Sequence, residues 1–174
     1  MKNEVKKFFS VVIPFYFRND DSLNQLYRCV NSIKKQTFKD YEIILSTQNI
    51  FERLNKDLNL KSADVSVLNA ENIEGFIQGN VNNAISYASG KWIKIMFSDD
   101  FFFDKYSLEN IYSQLKKQSG NWGVMNSLHY ESLNSKISKP IIPYFQKHIL
   151  EVNTIGSPSV IIIKNERPLL FDPK

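Results

Sequence analysis

Short, almost wholly apolar runs recur along this chain, and between them apolar residues return every three or four positions. That alternation most restricts the fold. A run apolar on both faces belongs inside a sheet, and a helical stretch between two such runs supplies the crossover that parallel strands require. The runs are residues 8–14 (FFSVVIP), 41–45, 65–68, 92–97, 122–126 and 159–163. Between the first two, Ser22 and Gln25 have capping-box spacing, and Leu23, Leu26, Tyr27, Val30 and Ile33 repeat at helical spacing to about Gln36. Ile50, Leu54 and Leu58 predict a short helix within residues 49–60. Val81, Ala84, Ile85 and Ala88 predict another, with Gly90 as its stop. Asp104 is expected to cap a helix running to about Gln118, with Leu108, Ile111, Tyr112 and Leu115 inward. Periodicity fades over residues 127–154. The expected fold is α/β: a three-layer αβα sandwich around a central, mostly parallel sheet.

In such a sheet the loops after the first, second and fourth strands meet at one edge, where open α/β sheets bind ligands. Those loops hold residues 16–21, Ser46-Thr47-Gln48 and Ser98-Asp99-Asp100. Adjacent carboxylates repel unless a cation or hydrogen-bond donors neutralise them. Hard oxygen ligands suit Mg²⁺ or Mn²⁺ shared with substrate phosphates. A helix cap or solvated turn is the plain alternative for Asp99 and Asp100.

The 174 residues suffice for one domain with a full core. The net charge of +4 comes from dispersed or paired lysines. It suits attraction to a nucleotide diphosphate or an anionic membrane surface, and with no dense Arg/Lys block it argues against nucleic acid. The single Cys29 cannot form an intrachain disulfide, which fits a reducing cytoplasm. No apolar run approaches the ~20 residues of a membrane span, so membrane contact would be peripheral, at the inner face.

The order of segments resembles the family 2 glycosyltransferases, whose GT-A fold binds nucleotide sugars. FSVVIPFYFRNDDSLNQLYRCVNSIKKQTFKDYEIIL is similar to the family's first strand, turn, "S…Q" helix end and "EII" strand. GNVNNAISYASGKWIKIMFSDD resembles its Asn-led helix, "A-x-G" stop, fourth strand and acidic metal motif, and NTIGSPSVIIIKNERPLLFD its "G-x-P-S" strand and "FD" element. The resemblance implies a GT-A type fold and transfer of a sugar, with inversion, from a nucleotide-diphosphate donor to a glycan or lipid-linked acceptor hydroxyl. It implies a divalent cation, Mn²⁺ or Mg²⁺, and a place in bacterial cell-surface polysaccharide synthesis.

Carried over residue by residue, the resemblance assigns Asp99 to the second acid of the Asp-x-Asp metal motif, with Asp100 as a second candidate ligand and Phe97 in place of the first acid. Ser98 lies between. Tyr16 and Asp20 fall in the loop that contacts the nucleotide, Thr47 and Gln48 where the family carries an acid for the nucleoside, and Asn82 near the donor. No residue matches the general base, which in the family follows the "FD" element, Phe171-Asp172 here. His129, Glu131, His148 and Glu151 are weak candidates for it. The expectation is one domain, residues 1–174, lacking the C-terminal part of the family domain. A non-catalytic GT-A-like domain that binds a nucleotide or a partner is the alternative reading, and a homo-oligomer is left open. A phosphoacceptor receiver domain is disfavoured, because Pro14-Phe15-Tyr16 stand where its first acids belong.

Overall fold

The computed structural model describes residues 7–128, 140–141, 157–166 and 170–172. Strands β1 (Phe9–Phe15), β2 (Tyr41–Thr47), β3 (Val65–Asn69) and β4 (Trp92–Ile95) alternate with helices α1 (Asp20–Lys34), α2 (Phe51–Lys56) and α3 (Phe76–Ser86). Then follow α4 (Ser107–Leu115), β5 (Trp122–Val124), β6 (Ser127–Leu128), β7 (Pro140–Ile141), a 3-10 turn at Pro158–Val160 and β8 (Ile161–Lys164). The main sheet has the order β3-β2-β1-β4-β8-β5. Its first four strands are mutually parallel. β8 inserts antiparallel between β4 and β5, and β6 with β7 form a separate small ladder. The α/β sandwich expected from the sequence is therefore the fold.

Both faces of the central strands β1, β2 and β4 are buried, and strand residues alternate between two cores as the two-residue period requires. Val11, Ile13, Ile43, Leu45, Trp92 and Met96 meet Leu26, Cys29, Val30 and Ile33 of α1, together with Leu54 and Leu108. On the opposite face Val12, Ile44, Ile93 and Ile95 meet Val81, Ala84 and Ile85 of α3.

Four local expectations are corrected. The cap of α1 is Asn19, with Ser22 as its reciprocal partner, so the capping box sits three residues before the Ser22–Gln25 pair. α2 ends at Lys56, which leaves Leu58 79% exposed while Leu60 turns inward. Asp104 shapes the turn before α4: its Oδ1 accepts from Tyr106 N at 2.7 Å, but the helix begins only at Ser107. Gln36 does the capping, its buried Oε1 accepting from Leu108 N at 2.9 Å. Gly90 does not stop α3, which has already ended at Ser86. It is required by close approach, since a Cβ there would lie 2.5 Å from Ser10 N.

Candidate functional site

Because β1, β2 and β4 are parallel and in register, their carboxyl ends share one edge. Two asparagines that the sequence motifs do not single out stitch that edge together. Asn49 grips the Phe17 backbone, accepting from its N–H at 2.8 Å and donating to its carbonyl at 2.9 Å. Asn80, fully buried, donates to Phe15 O at 3.0 Å, which ties α3 to the end of β1. Only their positions after a strand and in the N-terminal half of a helix hinted at these roles.

Six predicted site residues come together here. Tyr16 stands on the rim, 56% exposed. Thr47 is buried, and its hydroxyl donates to Asn49 O, so it shapes the loop. Gln48 is half-exposed and donates weakly to Ile73 O at 3.4 Å, linking the loops after β2 and β3. Beyond β4, Asp100 N–H donates to Phe97 O at 3.0 Å, closing a tight turn with Ser98 and Asp99 at its tip. Asp99 is exposed, and its carboxylate has no hydrogen-bond or ion-pair partner among the described residues. Asp100 is half-buried, and its Oδ2 accepts from Ser157 Oγ at 3.1 Å.

The other two predicted residues are engaged elsewhere. Asp20 lies in the first turn of α1, where negative charge favours a helix start, with its carboxylate 3.9 Å from the Arg53 guanidinium. Asn82 clasps the Phe171 backbone, donating to its carbonyl at 2.7 Å and accepting from its N–H at 2.9 Å. His129, Glu131, His148 and Glu151 lie outside the described residues.

The acidic turn rests on a polar underlay. Phe97 N–H donates to Ser159 Oγ at 2.7 Å. Below it the Lys94 side chain is fully buried, and its Nζ donates to Ile95 O and Ser159 O. Burial depresses the Lys94 pKa to about 7, against the opposing pull of Asp100. From α1, Arg28 Nη2 donates to Asp99 O at 3.0 Å. The backbone of the turn is thus held from two sides while the Asp99 carboxylate is left outward.

Among the described residues no group of three or more His, Cys, Asp or Glu gathers as a self-sufficient metal cage. One or two carboxylates completed by substrate phosphates are what Mg²⁺ ordinarily uses, and an unengaged Asp99 beside Asp100 is a donor set of that kind.

The sequence profile of glycosyl transferase family 2 matches residues 10–154, a span that includes the carboxyl ends of β1, β2 and β4 and the loops after them. The chain belongs to that family. A curated relative, glycosyltransferase GlyG of Streptococcus pneumoniae serotype 4, is 32% identical over 131 residues, covering 73% of this chain. The chain spans 41% of that relative's length. Among solved structures, S. aureus TarS 1-349 matches with a TM-score of 0.64 at 19% identity, over 90% of this chain and 47% of TarS. The same TarS fragment was also crystallised with UDP-GlcNAc. Mannosyltransferase PcManGT from Pyrobaculum calidifontis, in complex with GDP-Man and Mn²⁺, matches at a TM-score of 0.53 and 13% identity, over 67% of this chain and 34% of its own. At these identities the structural likenesses establish the shared glycosyltransferase fold.

Proposed function

We propose that this glycosyltransferase domain binds a nucleoside-diphosphate sugar across the carboxyl ends of β1, β2 and β4 and transfers the sugar, with inversion, to an acceptor hydroxyl. The observation that carries the reading is the Asp99 carboxylate, left outward and unpaired on a turn whose backbone is pinned by Arg28 and Ser159. A pinned turn with a free carboxylate is preorganised to bind charge. Asp99, with Asp100 beside it, would hold a divalent cation, Mn²⁺ or Mg²⁺. When bound, that cation neutralises charge that develops on the departing diphosphate. Tyr16 and Gln48 border the same edge and are placed to meet the nucleoside. Thr47, already bonded within its loop, positions Gln48 rather than touching the donor. Ser98 shares the turn tip and would sit against the diphosphate. Asn82 acts through the Phe171 clasp, and Asp20 through Arg53 and the start of α1.

A uridine diphosphate sugar is the first donor to test, because TarS was crystallised with UDP-GlcNAc. The acceptor is expected to be a glycan or a lipid-linked glycan of the bacterial surface. Calorimetry with UDP, GDP, TDP and CDP, each with Mn²⁺ or chelator, tests the reading. One diphosphate should bind only with the cation. Asp99→Asn should weaken it by ~1.5–3 kcal/mol, the worth of a charge-assisted contact. Equal affinity in chelator, or an unaffected Asp99→Asn, would remove the site.

A further inference from the structure

A concavity of about 450 Å³ lies between Arg28, Ser32, Lys35 and Gln36 of the α1 side on one wall and residues 101–105 on the other. Its walls are tied together. Phe102 N–H donates to Ser32 Oγ at 3.0 Å, and Gln36 Nε2 to Asp104 O at 2.7 Å. The α1 wall is one-sided in charge. Residues 22–39 carry Arg28, Lys34, Lys35 and Lys39 and not one Asp or Glu. The far wall adds Lys105, whose ammonium lies 5.1 Å from the Tyr106 ring. Of the nearby acids, Asp104 shapes its turn and Glu109 accepts from Thr37 Oγ1 at 2.8 Å, while Asp99, whose carbonyl Arg28 holds at 3.0 Å, belongs to the acidic turn on the far side of Phe101. Arg28 stacks 4.5 Å over Phe101, and its buried Nε has no acceptor among the described residues.

Beside these cations two rings stand in water, Phe103 at 63% and Tyr106 at 49% exposure. A small soluble anion in the concavity would satisfy the cations and leave both rings wet. A lipid surface serves both, with rings at the acyl boundary and ammonium groups among the phosphates. We propose that the patch of Arg28, Lys35, Phe103, Lys105 and Tyr106 docks this protein on an anionic phospholipid surface.

The test is co-sedimentation of the chain, without donor, with vesicles of phosphatidylcholine alone or mixed in equal parts with phosphatidylglycerol. Donor-free binding separates this proposal from sugar transfer, which it does not require. The protein should pellet with the anionic vesicles only, and rising salt should release it. Replacing Lys35 and Lys105 together by Gln should weaken binding by about thirtyfold, since each lysine near such a surface is worth roughly 1 kcal/mol. Phe103→Ser should weaken it by about tenfold, the equivalent of a partly buried ring. The same charge change at Lys56 and Lys61, across α1 near β3, should leave binding within about twofold of the parent. Circular dichroism should show all variants folded, so that a lost pellet reports the surface. The proposal is overturned by no pelleting with phosphatidylglycerol, by equal loss in the Lys56/Lys61 control, or by an unaffected Phe103→Ser. Saturable binding of inorganic pyrophosphate at Lys35 and Lys105 with no vesicle binding would also overturn it, and would assign the concavity to a soluble phosphate.

Discussion

Lys94 makes stability depend on pH in a window where few other groups titrate. Its side chain is wholly buried under the acidic turn, and that burial lowers its pKa from 10.5 to about 7 although the Asp100 charge pulls the other way. In the unfolded chain the lysine keeps its proton up to its ordinary pKa. Between pH 7 and pH 10.5 the unfolded state therefore binds more protons than the folded state, and stability rises with pH. One pKa unit corresponds to 1.36 kcal/mol, so the two units from pH 7 to pH 9 give a gain of about 2 kcal/mol, allowing for half-titration at the start. At pH 9 the unfolded Cys29 thiol, whose ordinary pKa is 9.0, is half ionised and offsets about 0.4 kcal/mol of that gain, while Tyr27 and Tyr41, with raised pKa values from 10.0, lower stability mainly above pH 9. Urea unfolding at pH 7 and pH 9, read by tryptophan fluorescence, measures the slope. Lys94→Met keeps the volume, removes the titrating group and should flatten the variant's own profile, so that the wild-type-minus-variant difference carries the Lys94 slope. A parent whose stability is level or falls from pH 7 to pH 9, or a variant with the parent's slope, would refute a buried, depressed lysine.

Other perturbations follow from the same packing. Gln36→Leu removes three hydrogen bonds, to Ser32 O, Asp104 O and Leu108 N, at a buried site. It should lower stability by about 2–4 kcal/mol, or roughly 5–15 °C in melting temperature by calorimetry. Gly90→Ala drives a methyl against the β1 backbone at Ser10 and should cost about 2–4 kcal/mol in chemical denaturation. Cys29 is fully buried with its thiol pKa raised, so a thiol reagent should label it only as fast as the protein opens, and fully in urea.

The strands were legible because burial on both faces writes itself as unbroken apolar runs, and α1 because its inward face repeats without interruption. The misplaced starts have a common cause. The side chains that cap come from elsewhere in space. Gln36 reaches α4 from the end of α1, and Asn19 outranks Ser22 only once the loop has folded. Leu58 satisfied a helical repeat that α2 is too short to continue. At the site, the convergence of Tyr16, Gln48 and Asp99 followed from strand order alone. The employment of Asn82 by Phe171, and of Asp20 by Arg53, depended on long-range contacts that no spacing encodes.

The replaced acid at Phe97 has a packing logic. The Phe97 side chain packs partly buried against the α3-side core, beside Ile163 and Phe171, while its N–H is taken by Ser159. A carboxylate placed at 97 would face that core and lose hydration. The neighbouring acids divide the remaining work. Asp100 bonds Ser157 and lies in the field of Lys94, which fixes the turn to the segment before β8. Asp99, one residue earlier, is held only through its carbonyl. The chain thus keeps one carboxylate anchored and one free, and the donor binding proposed above would rest on the free one. This is why the Asp99 and Ser157 variants should separate. Asp99→Asn removes a charge from the ligand side, whereas Ser157→Ala loosens the turn and leaves that charge in place.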